Sequence, residues 1–236
     1  VLFERMKNSE TLGQRITFYR AFLNVANSLA ARKALKEILK GERYVVAGTF
    51  QKITENIKGA AFVPSLPELK TKDKFDILAK LFILNDKDAE TIFNALVKTE
   101  TSDDAKRYAY AAKGGIATAE SKTKYFNDFI ANKEISESWI ESAFVSFNST
   151  KHSDLTLPYL EKALTELPNL KKNRKIFFVN GWLGAFIGGQ KSEQALNIVN
   201  KVLADNPNLD KDLKLKILEN VDVIERAVRI RNKFSK

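Results

Sequence analysis

The chain has 236 residues, 44% of them hydrophobic, which is enough to fill the core of one large domain or two small ones. It has no cysteine and no apolar run of membrane-spanning length, which excludes a disulfide framework and a thiolate metal site and argues against a membrane span. The net charge of +10 is concentrated toward both ends, but the cations alternate with carboxylates at helical spacing, which favours an ordinary solvated helix surface over a nucleic-acid interface.

The beginning of the chain has no basic stretch followed by an apolar core, so it does not resemble a signal peptide, and its opening on Val1 suggests a piece of a longer protein. From 11 to 40, apolar residues recur every three or four positions, which predicts one or two helices ending at Gly41. A further helix is predicted over 44–57. Two prolines and the loss of periodicity make 59–72 a connection and a possible break in packing.

Helical periodicity resumes at Asp73 and continues along the rest of the chain. Thr101 and Asp104 have the spacing of a capping box, which predicts a helix that stops at Gly114 and Gly115. These two glycines, like Gly188 and Gly189 later, are interpreted as helix stops where positive φ favours glycine. Further short helices are predicted over 118–130, 136–147, 157–167 and 173–182.

The last part of the chain carries the clearest helical signal. A helix is predicted through Leu203, followed by a break at Pro207 and a final helix with Asp210 as its N-cap. Cations crowd the last turns of this helix, where they favour the negative end of the helix dipole. Its apolar stripe faces a partner helix and consists of Leu213, Ile217, Val221, Ile224 and Val228.

These elements predict an all-α fold, because each helix has about 10 to 15 residues and the alternation typical of strands is nowhere sustained. Short connections between successive helices indicate stacked antiparallel helix pairs, similar to HEAT or armadillo repeats. No strict sequence period is present. The prediction is therefore a single all-helical domain over 1–236 with degenerate repeats.

The sequence contains few signs of catalytic chemistry. The chain has one histidine, His152, in a polar stretch typical of a surface loop, and no nucleophile-elbow motif accompanies it. The glycine pairs lie in no phosphate-binding pattern. The basic run 171–175 is interpreted as a solvated helix start, with contact to an anion or an acidic partner as the alternative. The large aromatic residues are predicted to lie in the core rather than to stack on bases: Trp139, Phe177, Phe178, Trp182 and Phe186.

The order of motifs near the end resembles the extreme C-terminus of zinc aminopeptidases of the aminopeptidase N (alanyl aminopeptidase) family, most closely its bacterial members. These motifs are an aromatic Gly-Trp-Leu segment, Gly-Gly-Gln-Lys-Ser, Ser-Glu-Gln-Ala-Leu, Leu-Lys-Leu-Lys-Ile-Leu-Glu-Asn-Val-Asp and Glu-Arg-Ala-Val-Arg-Ile-Arg. Earlier segments that look similar include Ile-Thr-Phe-Tyr-Arg-Ala-Phe-Leu and Leu-Pro-Tyr-Leu. The resemblance covers nearly the whole chain and is specific only in its last third.

This resemblance implies a C-terminal helical domain in which the helix pairs form a curved superhelix. Such a domain follows a thermolysin-like zinc domain, covers its catalytic cleft and helps to accommodate the peptide. Its partners would be the catalytic domain of the same polypeptide and the peptide substrate. Zinc would belong to the parent enzyme, because this chain has neither the His-Glu-x-x-His helix nor the Gly-Ala-Met-Glu-Asn motif, so no catalytic or metal-binding residue is assigned and the chain alone should be inactive.

A basic residue of such a domain could bind the carboxylate at the C-terminus of the peptide, and arginine suits this role because its planar fork binds a carboxylate bidentately. The candidates are Arg20, Arg107, Arg226, Arg229 and Arg231.

Two alternatives from other classes stay open. The first is a free-standing helical-repeat scaffold that binds a protein partner on its concave face, and the second, less favoured, is a helical-repeat protein that binds nucleic acid with its basic ends. The residues do not distinguish bacterial cytoplasm from cell envelope.

Overall fold

The computed structural model describes residues 1–40 and 69–234, and every regular element in these ranges is a helix. The all-α prediction is thus confirmed. Short 3₁₀ turns flank α9. The helices are α1 (Leu2–Asn8), α2 (Leu12–Val25), α3 (Leu29–Leu39), α4 (Thr71–Ile83), α5 (Ala89–Thr99), α6 (Asp103–Lys113), α7 (Ala119–Ala131), α8 (Glu137–Phe147), α9 (Ser153–Thr156), α10 (Leu160–Thr165), α11 (Leu167–Asn173), α12 (Ile176–Gly188), α13 (Glu193–Asp205) and α14 (Lys211–Phe234).

The periodicity over 11–40 is confirmed as two helices, α2 and α3. The predicted helix over 44–57, the glycine stop at Gly41 and most of the connection at 59–72 lie outside the described residues. Within 1–40 and 69–234, no helix combines the length and the apolar character needed to cross a membrane.

Side-chain caps determine where several helices begin. Asp210 is the N-cap of α14 as predicted, because its Oδ1 accepts hydrogen bonds from the amides of Asp212 and Leu213. The cap of α6 was predicted one residue too early. Its N-cap is Ser102, whose Oγ accepts a hydrogen bond from the Ala105 amide at 3.2 Å, so the helix begins after Ser102 and not after Thr101.

The segment before the aromatic stretch is less regular than predicted. In place of one helix over 157–167, the chain forms a 3₁₀ turn over Leu157–Tyr159, then α10 and the start of α11. Pro158 is the second residue of the second 3₁₀ turn, and Pro168 is the second residue of α11. At these positions the missing amide proton costs nothing, but the preceding helix cannot continue. The helix predicted over 173–182 corresponds to α12, but α12 begins only at Ile176, because Asn173 ends α11, and it extends to Gly188.

Helices α4, α6, α8, α12 and α14 lie side by side in one row, each packed against the next. They run in the same direction, as contacts at their ends show. Lys122 of α7 donates hydrogen bonds from its Nζ to the carbonyl of Gly114, after α6, and to that of Phe147, the last residue of α8. At the opposite edge, Arg174 before α12 forms an ion pair with Glu137, the first residue of α8.

The helices between these members return along the other side of the row. α5 packs on α4 and α6, α7 packs on α8, and α13 packs on α14. Such alternation of row helices and return helices agrees with stacked antiparallel pairs, whereas the superhelical curvature stays a prediction. Two hydrophobic clusters fill the space between the layers: one contains buried residues from Met6 to Ala112, and the other from Tyr125 to Ile224.

The two predicted glycine stops are confirmed as helix ends, but positive φ is not the reason for glycine. Gly114 and Gly189 have φ values of −55° and −74°, which any residue adopts. Close packing requires the glycine instead. A Cβ atom on Gly189 would collide with the carbonyl oxygen of Asn148, and one on Gly115 would lie 2.9 Å from the carbonyl oxygen of Ala79.

Candidate functional site

A groove of about 960 Å³ crosses one face of the row. Its lining comes mainly from α4, α6, α8 and α12. Each of these helices presents small residues to it, among them Ala79, Ala111, Ser142 and Gly184. Since small side chains leave room above neighbouring helices, the backbone of an extended ligand can approach the row closely.

Arg107 of α6 lies in this groove, with 29% of its side chain exposed. Its Nη2 donates a hydrogen bond to the Asp104 carboxylate at 2.8 Å, and its guanidinium lies 5.1 Å from the centre of the Tyr108 ring. Its Nε is buried and has no hydrogen-bond partner among the described residues. A guanidinium has five N–H donors, more than these contacts use, so the partly exposed side chain can still donate to an acceptor of a ligand.

Two lysines of α4 also line the groove. Lys72 forms an ion pair with Asp76 at 2.6 Å, one turn further along the same helix. The Nζ of Lys80 donates a hydrogen bond to the carbonyl of Asn24 at 2.8 Å. Burial, and secondarily the charge of Lys151, lowers the pKa of Lys80 from its ordinary value.

Glu141 of α8 is a second acidic residue that lines the groove, besides Asp76, and it is partly buried. Burial raises the pKa of its carboxyl group, and the nearby Glu137 raises it further, against a smaller opposing effect from Lys175. Within the described residues, no hydrogen bond or ion pair is formed by its side chain. The ionised carboxylate of Glu141 would therefore be stabilised by a cation.

Of the five predicted peptide-binding arginines, Arg107 is the one that the structure places in the groove. Arg20 is exposed on α2, one turn before the groove residues Leu23 and Asn24. The other three lie on the exposed surface of α14. Arg226 forms an ion pair with Asp222 at 2.6 Å, Arg231 donates a hydrogen bond to the carbonyl of Lys191, and Arg229 is exposed.

Sequence reasoning missed Glu141 and the small residues of the groove floor. One signal was present in the sequence: Ser138, Glu141 and Ser142 share one polar face of α8, opposite the apolar positions Ile140 and Phe144. In the sequence alone, that face cannot be distinguished from an ordinary solvated helix surface. It lies beside Ala111 and Gly184 only because α6 and α12 flank α8 in the row, which the sequence does not show.

Most of the large aromatic residues lie in the core, as predicted. Trp182, Phe178 and Phe186 are buried, and the Trp182 Nε1 donates a hydrogen bond to the carbonyl of Ala163 at 2.9 Å. Trp139 is half-buried and packs on Tyr110. Phe177 was wrongly predicted, because it is 78% exposed near the start of α12, where the helix turns it away from the core.

The polar residues singled out in the sequence make structural contacts. The His152 Nε2 lies 2.7 Å from the carbonyl oxygen of Ile83, the last residue of α4. In the basic run, Lys171 forms an ion pair with Asp210 at 2.6 Å. Across 1–40 and 69–234, no group of three or more His, Asp or Glu side chains is arranged to hold a metal ion.

Comparison with known proteins does not identify the chain. No protein-family profile matches it, and no curated protein matches it either.

Proposed function

We propose that this chain is a non-catalytic helical domain of a zinc aminopeptidase, and that its groove receives part of the peptide substrate. One observation carries the proposal: the groove lies across four parallel helices, is lined by small residues from each of them, and contains the partly exposed Arg107, which has more N–H donors than its contacts in the described part of the chain use. An extended peptide has main-chain carbonyls and a terminal carboxylate, which are the acceptors that Arg107 can bind.

The resemblance of the C-terminal motifs supports the assignment to an aminopeptidase, and the all-helical architecture agrees with it. Zinc and the catalytic glutamate would be supplied by another domain of the same polypeptide. In that arrangement the groove determines which peptides fit beside the catalytic cleft, while the bond cleavage takes place elsewhere. The first test is the reading frame upstream of Val1, which should encode His-Glu-x-x-His followed by a glutamate ligand.

Peptide binding can be tested on the chain itself. Fluorescence anisotropy with a labelled mixture of short unstructured peptides should detect saturable binding. Gly184→Phe should weaken it at least about tenfold, because the new ring would occupy the groove floor. A Cβ atom on Gly184 meets only the Asn220 Oδ1, at 3.8 Å, so the variant should fold.

The matched control is Gly13→Phe. Gly13 is also an exposed helical glycine, a Cβ atom there meets nothing within 4 Å, and it lies outside the groove. Equal affinity of Gly13→Phe and wild type, with loss in Gly184→Phe, would support the groove. Equal affinity of all three proteins would place peptide binding elsewhere and contradict the proposal.

A further inference from the structure

The charged residues that line the groove differ in whether they already have partners. Lys72 and Asp76 pair with each other, Arg107 pairs with Asp104, and Lys80 donates to a backbone carbonyl. Each of these charges thus has a partner in the described part of the chain, although Arg107 keeps further N–H donors. Glu141 is the exception among the groove residues that the structure describes, since its carboxylate has neither a cation nor a hydrogen-bond donor.

The surroundings of Glu141 indicate which kind of ligand group would pair with its carboxylate. Along α8, Ser138 precedes it by three positions and Val145 follows it by four, so all three lie on the same face and line the groove. Val145 is 81% exposed and offers an apolar surface beside the carboxylate. A long side chain with an apolar stem and a cationic end matches this pair of surfaces, because the stem can cover Val145 while the charge reaches Glu141.

Among the described residues, no other cation of the protein pairs with Glu141. Arg107 is held toward Asp104 and Tyr108, and Lys175, whose charge acts on Glu141, forms no bond with it. The second carboxylate near Glu141 is that of Glu137, which pairs with Arg174. A single free carboxylate is too few ligands for a metal ion, which needs at least three protein groups or a comparable shell.

We infer that the groove selects peptides that carry a lysine or arginine side chain opposite Glu141. This inference rests on the proposed peptide-binding function and specifies its substrate class. The cationic end would form an ion pair with the Glu141 carboxylate, and the methylene stem would lie on Val145. The peptide would then be held by two opposite charges, with Arg107 of α6 binding an acceptor and Glu141 of α8 binding the cation.

The test compares peptides that differ only in this charge. A set of labelled alanine-serine heptapeptides carries one lysine at each position in turn, and a second set carries norleucine in its place, which keeps the stem and removes the ammonium group. Wild type should bind the best lysine peptide about fivefold more tightly than its norleucine counterpart, as expected for a partly exposed ion pair. The preference should shrink as salt concentration rises.

The same two peptide sets are then measured on two variants of the protein. Glu141→Gln keeps the shape of the side chain and should bind the lysine and norleucine peptides equally. Glu219→Gln makes the same change of charge at an exposed position of α14 outside the groove, and it should keep the wild-type preference.

The outcomes separate this inference from the proposed function. If wild type binds both peptide sets with equal affinity, the groove receives peptides but Glu141 does not select them, and the inference is wrong. Equal loss of preference in Glu141→Gln and Glu219→Gln would mean that net charge, not the groove, attracts the lysine. If no peptide of either set binds, the proposed function and this inference fail together.

Discussion

The Nζ of Lys122 lies 2.9 Å from the carbonyl oxygen of Phe147, and the lysine is only 1% exposed. The same Nζ lies 2.8 Å from the carbonyl oxygen of Gly114. Both acceptors belong to helix ends, and they connect α6 and α8 at one edge of the row. No carboxylate is among the hydrogen-bond partners found for this lysine in the described part of the chain. Burial lowers its pKa to about 8.

This pKa predicts how stability changes with pH. Between about pH 8 and pH 10, Lys122 is neutral in the folded protein, whereas the unfolded chain still binds the proton. The free energy of unfolding should therefore rise with pH in this window, by at most about 1.4 kcal/mol per pH unit from this group. Urea unfolding at a series of pH values measures it. The neutral amine keeps two N–H groups, enough for both carbonyls.

Lys122→Met is the variant that isolates this effect, because methionine fills similar space without a titrating group. The pH dependence of its free energy of unfolding should lack the part due to Lys122, whereas the part due to Lys80 is present in both proteins. Above about pH 10 stability should fall in both, since burial raises the pKa of Tyr19 and of Tyr125 in the folded state. Identical slopes for wild type and variant would contradict the assignment.

The start of α6 provides a second prediction. Ser102→Ala should lower the free energy of unfolding by about 1 kcal/mol, because the Ala105 amide would lose its side-chain acceptor. Thr101→Ala is the matched control, since Thr101 lies before the cap and should change stability by less than about 0.5 kcal/mol. Denaturant titrations of both variants measure the difference. A larger loss of stability in Thr101→Ala than in Ser102→Ala would mean that Thr101 is the N-cap of α6, as the sequence predicted.

Gly184 within α12 and Gly189 directly after it should respond in opposite directions to the same substitution. Gly184→Ala should stabilise the protein by about 0.5 to 1 kcal/mol, because alanine favours the helix and its Cβ finds open space. Gly189→Ala should destabilise it by about 1 to 3 kcal/mol, because its Cβ would collide with the backbone at Asn148. Thermal unfolding compares them. Stabilisation by both would mean that α8 and α12 are less closely packed than described.

The placement of Arg107 leads to a prediction about peptide ends. Arg107→Gln should bind a peptide with a free terminal carboxylate about tenfold more weakly than wild type does, because a charge-assisted hydrogen bond is lost. A peptide amidated at its C-terminus should show a smaller change. Arg226→Gln serves as the control on the exposed surface of α14. If the amidated and free peptides lose affinity equally, Arg107 contacts the main chain and not the terminus.

The sequence predicted the class of fold and most helix boundaries because local chemistry determines them. The stripe from Leu213 to Ile224 is buried as its spacing indicates, and Asp210 caps the helix that carries it. Errors arose where local signals competed. Thr101 and Ser102 are both good caps, and only the hydrogen bond to Ala105 distinguishes them. The segment 157–167 kept its apolar pattern, but its proline interrupts the helix.

The site was predictable only in part, because it consists of residues from helices that are distant in sequence. Arg107 was among the candidates on the basis of its chemistry, together with four arginines that the fold places outside the groove. The one local signal of Glu141 is the polar face that it shares with Ser138 and Ser142, and any solvated helix has such a face. The importance of Glu141 comes from burial, from Glu137 nearby and from the absence of a described partner, and all three depend on tertiary packing.

The parallel row has a consequence for how proteins with this architecture can change size. Each added row helix brings its own return helix, so duplication of one such pair would lengthen the groove by about one interaxial distance, 8 to 10 Å, and would leave the direction of every other helix unchanged. Deletion of a pair would shorten it by the same step. Gene duplication can therefore change the length of bound chain that the groove covers in steps of one helix pair, independently of the residues that line the groove.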